Sequence, residues 1–275
     1  MKKQIQLHNT SLIYHLFGEG PAIVLLHGFL ESSAIWAEFA AELSRDFMVI
    51  TVDLPGHGES GVIAETHSMH LMSECVREIL KTEQIESVLL CGHSMGGYIA
   101  VEFASQYQEI VAGLSFFHSN PAPETEQSKT NRERAIQIVK KQKGQFITSF
   151  IPDLFAPCNI ERLHNKIEAL RESANKMSPE AVIAALSGMK ERQSRLNVLV
   201  DATFPIQFIA GKQDSKIPTE KIMAAALLPH HAELVLLDQC GHMGHIEAPN
   251  TTFTVLMDFA EKTLYPRRPF HSDNC

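Results

Sequence analysis

The chain has 275 residues, 44% of them apolar, and a formal net charge of −8. That length and apolar content suit one large domain carrying an insertion and exclude a disordered or fibrous chain. The acidic balance argues against a phosphate-binding surface, so no nucleic-acid partner is expected.

The first twenty residues hold no long apolar stretch and no small-residue cleavage site, which predicts a chain without a secretion signal. Gln4–His8 and Leu12–Phe17 alternate polar and apolar residues around Asn9 and Thr10, predicting an opening hairpin. Ala22–Leu26 (AIVLL) is a continuous apolar run, as a strand covered on both faces requires. Ser33–Leu43 has helical periodicity, and Met48–Val52 is a strand that stops at the turn Asp53-Leu54-Pro55-Gly56. His67–Lys81 places Met69, Met72, Val76, Ile79 and Leu80 on one helical face. Ser87–Leu90 reads as a strand, Gly97–Tyr107 as a helix and Val111–Phe117 as a strand. From Pro121 to about Val200 no buried strand is visible, and Glu124–Lys143, Ile160–Lys176 and Pro179–Arg192 read as helices. Lys140, Lys141 and Lys143, the one basic cluster, read as the solvated face of a helix end. Strand Pro205–Ala210, helix Thr219–Leu228, strand Glu233–Leu237 and helix Thr251–Leu264 complete the alternation.

Such alternation predicts a mostly parallel sheet with helices on both faces. The domain expectation is a discontinuous core of residues 1–120 and 201–265, a helical cap of 121–200 over the carboxyl ends of the strands, and a frayed tail of 266–275. Five cysteines, Cys75, Cys91, Cys158, Cys240 and Cys275, show no CxxC spacing and fit reduced thiols in the cytoplasm. No run approaches the roughly 18 apolar residues of a membrane-spanning helix.

The sharpest motif is Gly92-His93-Ser94-Met95-Gly96, a G-x-S-x-G pentapeptide. Alone it could be a Gly-rich turn. Placed after the strand SVLLC and before a helix opening with Gly96, Gly97 and Ala100, it has the strand–turn–helix setting of a nucleophile elbow. The Ser94 hydroxyl would then stand at the positive end of that helix. Attack on a carbonyl develops negative charge on oxygen, and backbone N–H groups stabilise it. The expected donors are Met95, next after the nucleophile, and Phe29 in the loop His27-Gly28-Phe29, whose plainer reading is a strand-ending turn.

Acid and base should follow in the order Ser, acid, His. Asp214 follows PIQFIA through Gly211-Lys212-Gln213, although an Asp there can also simply cap its own turn. Asp238 is a weaker choice, and His118-Ser119-Asn120-Pro121 offers no acid before Glu124. His242 follows ELVLL directly, at the same sheet edge as Ser94, with His245 its nearest rival. His27 and His57 precede any acid, His93 should point away from the elbow, and His230 and His231 lie at the opposite edge.

These residues resemble the α/β-hydrolase superfamily over about Ala22–Phe117 and Pro205–Leu264. The resemblance rests on His27-Gly28-Phe29, Asp53-Leu54-Pro55-Gly56-His57-Gly58-Glu59-Ser60, Gly92–Gly97, and Gly241-His242 followed by Glu247-Ala248-Pro249. It implies the α/β-hydrolase fold: a twisted sheet of about eight strands, flanked by helices, with a helical cap inserted after strand six. In that family the Asp53–Ser60 stretch is a structural loop. Ser at the elbow separates the chain from haloalkane dehalogenases and soluble epoxide hydrolases, which use Asp. It looks like the group of enol-lactonases, carboxylesterases, cofactor-free haloperoxidases and C–C bond hydrolases. The motifs also look like the menaquinone-pathway lyase, which usually has Arg where Tyr98 stands.

The leading expectation is a serine hydrolase cleaving a small ester, thioester or lactone through an acyl-enzyme on Ser94, with Asp214 and His242 completing the site. The alternatives are a lyase or C–C hydrolase using the same groups for proton abstraction, and a receptor-like binder with little turnover. Arg132, Arg134, Arg171, Arg192 and Arg195 could supply a carboxylate pocket for the lyase reading. Phe146, Phe150, Ile151, Leu154, Phe155, Leu186 and Met189 are candidate substrate contacts, the alternative being packing of the inserted helices. The His242-x-x-His245 pair lacks an HExxH pattern, and no Gly-rich nucleotide loop occurs, so neither metal nor cofactor is expected. The partner is a small-molecule substrate, and the chain is a monomer or homodimer.

Overall fold

The structure is a computed structural model and describes residues 1–7 and 10–265. The turn residue Asn9, the 266–275 tail and Cys275 lie outside the described residues. The other four cysteines are free thiols. No helix of the described residues is long and apolar enough to cross a membrane.

Eight strands form one sheet: β1 (Lys2–Leu7), β2 (Thr10–Phe17), β3 (Ala22–Leu26), β4 (Met48–Val52), β5 (Val88–His93), β6 (Val111–Phe117), β7 (Ile206–Gly211) and β8 (Ala232–Leu237). Their order is β1-β2-β4-β3-β5-β6-β7-β8. The β1–β2 and β2–β4 pairs are antiparallel and all others are parallel. β3, β5 and β7 are buried along their whole length, which is why they read as unbroken apolar runs.

Alternate residues of the same strands feed two cores. Ile23, Leu25, Val49 and Leu89 pack with Trp36 and with α1 (Ala37–Leu43) and α10 (Pro249–Leu264). Val24, Leu26, Ile50 and Leu90 pack on the other face with α2 (Met69–Thr82) and α3 (Met95–Gln106). This two-residue period fixes the register, because a one-residue slip would exchange the two faces.

After β6 the chain leaves the sheet. It forms α4 (Glu126–Phe150), short 3-10 turns at Pro152–Leu154 and Pro157–Asn159, α5 (His164–Asn175), α6 (Pro179–Glu191) and α7 (Leu196–Asp201), then re-enters as β7. α8 (Thr219–Ala226), β8, the single turn α9 (Gly244–Glu247) and α10 follow. Ser68, Thr125 and Ser178 accept from backbone N–H groups at the starts of α2, α4 and α6, and Pro179 opens α6.

Two expectations are corrected. α4 does not end at Lys143; it continues to Phe150 through a kink at Gln142 (φ −150°, ψ 63°). Lys143 is not a solvated helix end either. Its ammonium donates to the carbonyls of Asn175 (2.8 Å) and Met177 (2.5 Å), satisfying acceptors at the end of α5.

α6 docks directly on the loop before α2. His67 N–H donates to the Ala184 carbonyl at 3.0 Å. A Cβ on Gly188 would stand 1.7 Å from the His67 carbonyl oxygen, whereas one on Gly144 would meet nothing nearer than 3.7 Å. Gly188→Ala should therefore destabilise the protein by roughly 2–3 kcal/mol through overpacking. Gly144→Ala should be neutral or stabilising by up to about 1 kcal/mol. Chemical denaturation followed by circular dichroism checks both signs.

Candidate active site

β5 runs into Ser94, which has φ 49° and ψ −113°, and α3 begins at the next residue. A non-glycine residue in that region is strained and needs its surroundings to hold it. Ser94 N–H donates to the Phe117 carbonyl at 3.0 Å, and the Ser119 hydroxyl donates to the Ser94 carbonyl at 2.7 Å. The turn closes because strand and helix almost touch. A Cβ on Gly92 would stand 2.3 Å from the Gly96 carbonyl carbon, and one on Gly96 would stand 2.4 Å from the Leu26 carbonyl oxygen. Gly92 therefore sets how near α3 can lie to β5, and Gly96 how near it can lie to β3.

The loop after β3 comes up beside this turn. The buried His27 ring donates from Nδ1 to the Gly28 carbonyl at 2.7 Å and accepts the Leu54 N–H at Nε2 at 3.0 Å. That second bond ties the loop to the Asp53–Ser60 stretch, where Asp53 accepts from Ser33 and Glu59 N–H groups. Glu31 Oε2 accepts the Gly28 N–H at 2.6 Å. Among the described residues, neither the Phe29 N–H nor the Met95 N–H has an acceptor.

Asp214 and His242 meet from the loops after β7 and β8. His242 Nδ1 donates to Asp214 Oδ2 at 2.7 Å, and both side chains are buried. Asp214 Oδ1 accepts from Lys216 N–H (2.8 Å) and Ile217 N–H (3.0 Å). His118 Nδ1 lies 3.6 Å from Asp214 Oδ2. Burial alone would raise the Asp214 carboxyl, but His242 and His118 more than offset it and hold it well below the usual aspartate range. The His242 loop is clamped from both sides. His242 N–H donates to the Leu154 carbonyl at 2.7 Å. Buried Glu247 accepts from Gly241 (2.9 Å), Met243 (3.1 Å) and Ala156 (2.8 Å) N–H groups.

Ser94 and His242 line one cavity of about 430 Å³, without a hydrogen bond between them. Phe146, Phe150, Leu154, Leu186 and Met189 all line it too. Ile151 and Phe155 do not; they are buried in the core. The rings of Phe29, Phe146 and Phe150 form a contiguous apolar wall, with centroids 5.3 to 6.4 Å apart.

The cavity also has polar lining, including Tyr98, Asn120, Glu124, Arg132, Arg192 and Lys216; sequence reasoning offered Arg132 and Arg192 only among five candidate arginines, and missed Asn120, Glu124 and Lys216. Arg192 lies 3.7 Å above the Tyr98 ring, and it and Arg132 reach Glu124 Oε1 at 3.1 and 2.7 Å. Of the five arginines singled out, only these two reach the cavity. Arg171 and Arg195 pair with Glu168 and Glu102, and Arg134 is exposed. The helical spacing of Ser128, Arg132 and Ala135, one face of α4, was the signal available for that lining.

His245 is not beside Asp214. It is buried, lies 3.8 Å from Glu31 Oε1, and burial pushes its imidazole down to about 3. His93 turns away from the elbow, toward Glu31 and the His242 backbone. Two groups bring a carboxylate and two imidazoles close enough to share an ion: Glu31 with His93 and His245, and Asp214 with His118 and His242. In each, the carboxylate already accepts hydrogen bonds from protein donors.

Residues 21–157 match the family described as alpha/beta hydrolase fold. Uncharacterised proteins of Mycobacterium tuberculosis and Mycobacterium bovis are 36% identical over 108 residues, which is 39% of this chain and only 32% of theirs. A pimeloyl-[acyl-carrier protein] methyl ester esterase of Pseudoalteromonas atlantica is 27% identical, covering 93% of this chain and 99% of its own. A 2-succinyl-6-hydroxy-2,4-cyclohexadiene-1-carboxylate synthase of Escherichia coli is 28% identical over 83% of this chain and 89% of its own. Among solved structures, a thermophilic esterase from Thermogutta terrifontis superimposes with a TM-score of 0.90 at 27% identity, covering 95% of this chain and 99% of its own. An enol-lactonase from Burkholderia xenovorans shares the fold, with a TM-score of 0.86 at 20% identity over 94% and 99% of the two chains.

The depressed Asp214 carboxyl sets an acid limit on stability. A carboxyl held below its unfolded value stabilises the fold above that value, and the contribution is lost as pH falls through the folded one. The melting temperature of the wild type should therefore fall below about pH 4, the usual aspartate range. Asp214→Asn should melt lower at pH 7 and show a flatter acid limb in a thermal melt series from pH 3 to 7.

Proposed function

Because the chain belongs to the α/β-hydrolase superfamily, we propose that it is a serine hydrolase, carboxylesterase-like, that cleaves a small ester, thioester or lactone through an acyl-enzyme on Ser94. The observation that carries this reading is the 2.7 Å bond from His242 Nδ1 to buried Asp214, on an imidazole that shares a cavity with Ser94. Asp214 fixes the ring so that Nε2 is the nitrogen free to accept the Ser94 proton. Ser94 Oγ then attacks the carbonyl carbon, and the oxyanion takes the Phe29 and Met95 N–H groups, which have no competing acceptor among the described residues. The protonated His242 returns its proton to the leaving alcohol, thiol or lactone oxygen as the acyl bond to Ser94 Oγ remains. Water, deprotonated by His242, releases the acid and regenerates the serine.

The cavity size suits a small ligand. Its aromatic wall suits an apolar acyl or alcohol group, and Arg132 and Arg192 together outweigh Glu124 by one positive charge, which suits a substrate with a carboxylate. That charge also gives the second reading its support: a lyase or C–C hydrolase acting on an acidic substrate, in which His242 abstracts a substrate proton and Ser94 is not acylated. Two relatives of similar identity are named for an esterase and a synthase, matching the two readings.

Hydrolysis of p-nitrophenyl esters of increasing acyl length separates them. The wild type should turn over short esters with an initial burst of p-nitrophenol equal to the enzyme concentration, and Ser94→Ala should lower kcat by about 10⁴-fold or more. A folded wild type inactive on every ester would sink the hydrolase reading. On a p-nitrophenyl hemisuccinate, whose acyl group ends in a carboxylate, Arg192→Gln should raise KM by about tenfold, the worth of one charged contact of about 1.4 kcal/mol. On p-nitrophenyl butyrate the same variant should stay within about twofold of wild type. Equal effects on both esters would remove the arginine from substrate recognition.

A further inference from the structure

His93 stands between two oxygen atoms. Its Nδ1 lies 2.8 Å from Glu31 Oε2 and its Nε2 lies 2.9 Å from the His242 carbonyl oxygen. A carbonyl oxygen only accepts. Glu31 Oε2 also accepts the Gly28 N–H, at 2.6 Å. Both ring nitrogens therefore face acceptors, and a neutral imidazole has only one N–H to offer. Other buried rings of this protein differ. His27 and His67 each receive a backbone N–H at Nε2, from Leu54 and Ile63, which a neutral ring satisfies.

We propose that His93 is held doubly protonated and forms with Glu31 a buried ion pair that positions the oxyanion loop, the elbow and the base loop against one another. His93 precedes Ser94 in the chain. Glu31 grips the Gly28 N–H, next to Phe29. His93 Nε2 grips the backbone of the base itself. One proton thus joins three loops that are separate in the sequence, at positions 28, 93 and 242. Both residues line the cavity, but neither hydrogen-bonds the Ser94 hydroxyl or the His242 ring, so both are positioning residues for the proposed reaction, and their role rests on that reading of Ser94.

The surrounding charges fit this assignment. Facing His93 are Glu31 from the oxyanion loop, the His242 ring (5.1 Å between centroids), the His245 ring of α9 (5.0 Å) and the His118 ring at the end of β6 (6.3 Å), with Asp214 and His27 further out. Burial would lower the His93 value, but Glu31, the His242 carbonyl and Asp214 more than offset it, so it is raised above the ordinary histidine range. Burial would likewise raise Glu31, but His93 and His245 prevail and hold its carboxyl down to about 2. The proton therefore resides on the ring. A histidine raised in this way contributes fully below its unfolded value, and the contribution is lost as pH rises through the raised value.

The deciding measurement is the imidazole ¹⁵N spectrum of the full wild-type chain, with the His93 ring assigned through bonds from its own backbone amide. Both His93 nitrogens should carry protons at pH 7, and His27 should show one protonated and one bare nitrogen. A single protonated His93 nitrogen at pH 7 overturns the proposal. The spectrum needs neither a variant nor activity, so it stands even if the hydrolase reading fails. In Glu31→Gln the side-chain amide can donate to Nδ1, and the ring should revert to one proton. On p-nitrophenyl acetate that variant should lose about ten- to a hundredfold in kcat with KM within about twofold, as expected when an oxyanion donor is displaced. Unchanged kcat in a folded Glu31→Gln would refute the positioning role, as would a rise in KM without loss of kcat.

Discussion

The turn at Ser94 is the constraint on which the rest of the site depends. A serine at φ 49° costs on the order of 1–3 kcal/mol, and it persists only because its surroundings leave it no relaxed alternative. Helix α3 lies so close to β5 and β3 that Gly92 and Gly96 have no room for a side chain, and Ser94 is anchored at both its N–H and its carbonyl by β6 and the residues after it. Since β5 is a central strand, every neighbouring strand that ends at the same edge delivers its loop to the same point. β3 delivers Phe29, β7 delivers Asp214 and β8 delivers His242, so parallel pairing, rather than nearness in sequence, assembles the site.

Around Ser94 lie two buried imidazole–carboxylate pairs with opposite designs. In the His242–Asp214 pair one nitrogen is occupied and the other has no hydrogen-bond partner among the described residues. In the His93–Glu31 pair both nitrogens are occupied, and nothing is left to exchange. The same two residue types thus leave a nitrogen open to the cavity in one place and none in the other. The difference comes from what the second nitrogen meets: the cavity for His242, a backbone carbonyl for His93.

The parts of the protein legible in sequence are those where one local rule dominates. β3, β4 and β6 were readable at their observed limits, because continuous apolar runs follow from burial on both faces. The elbow and the Asp214–His242 order were readable because the turn and the parallel sheet demand them. α7 and α9, at six and four residues, are too short for a helical period to register. The continuation of α4 was hidden by Gly144, a residue that normally marks an end, in a helix that instead kinks at Gln142 and resumes. Which of the five candidate arginines face the cavity was hidden for a different reason: charge in sequence looks the same on a solvated helix as on one turned inward, and Arg134 and Arg132 differ only by their phase on α4. Glu31 carries no local signature, because its distant partner is the His93 side chain; Glu247 was visible only as part of a motif, not as a clamp reaching the Ala156 N–H far away in the chain.

The inserted helices leave the sheet at the end of β6 and return at the start of β7, two strands that pair directly from Leu114 with Ile206 to Phe117 with Ile209. The gap in the sheet is therefore closed whatever lies between them. Ser94, Asp214 and His242 all belong to the sheet portion, before and after the inserted stretch, while that stretch supplies Arg132, Phe146, Phe150, Leu154, Leu186, Met189 and Arg192 to the chamber's lining. The two halves can drift at different tempos. A lineage could trade one appetite for another by rewriting roughly the 121–205 stretch alone, held in check chiefly by the few backbone clasps, Leu154 and Ala156 among them, through which that stretch grips the loop of His242.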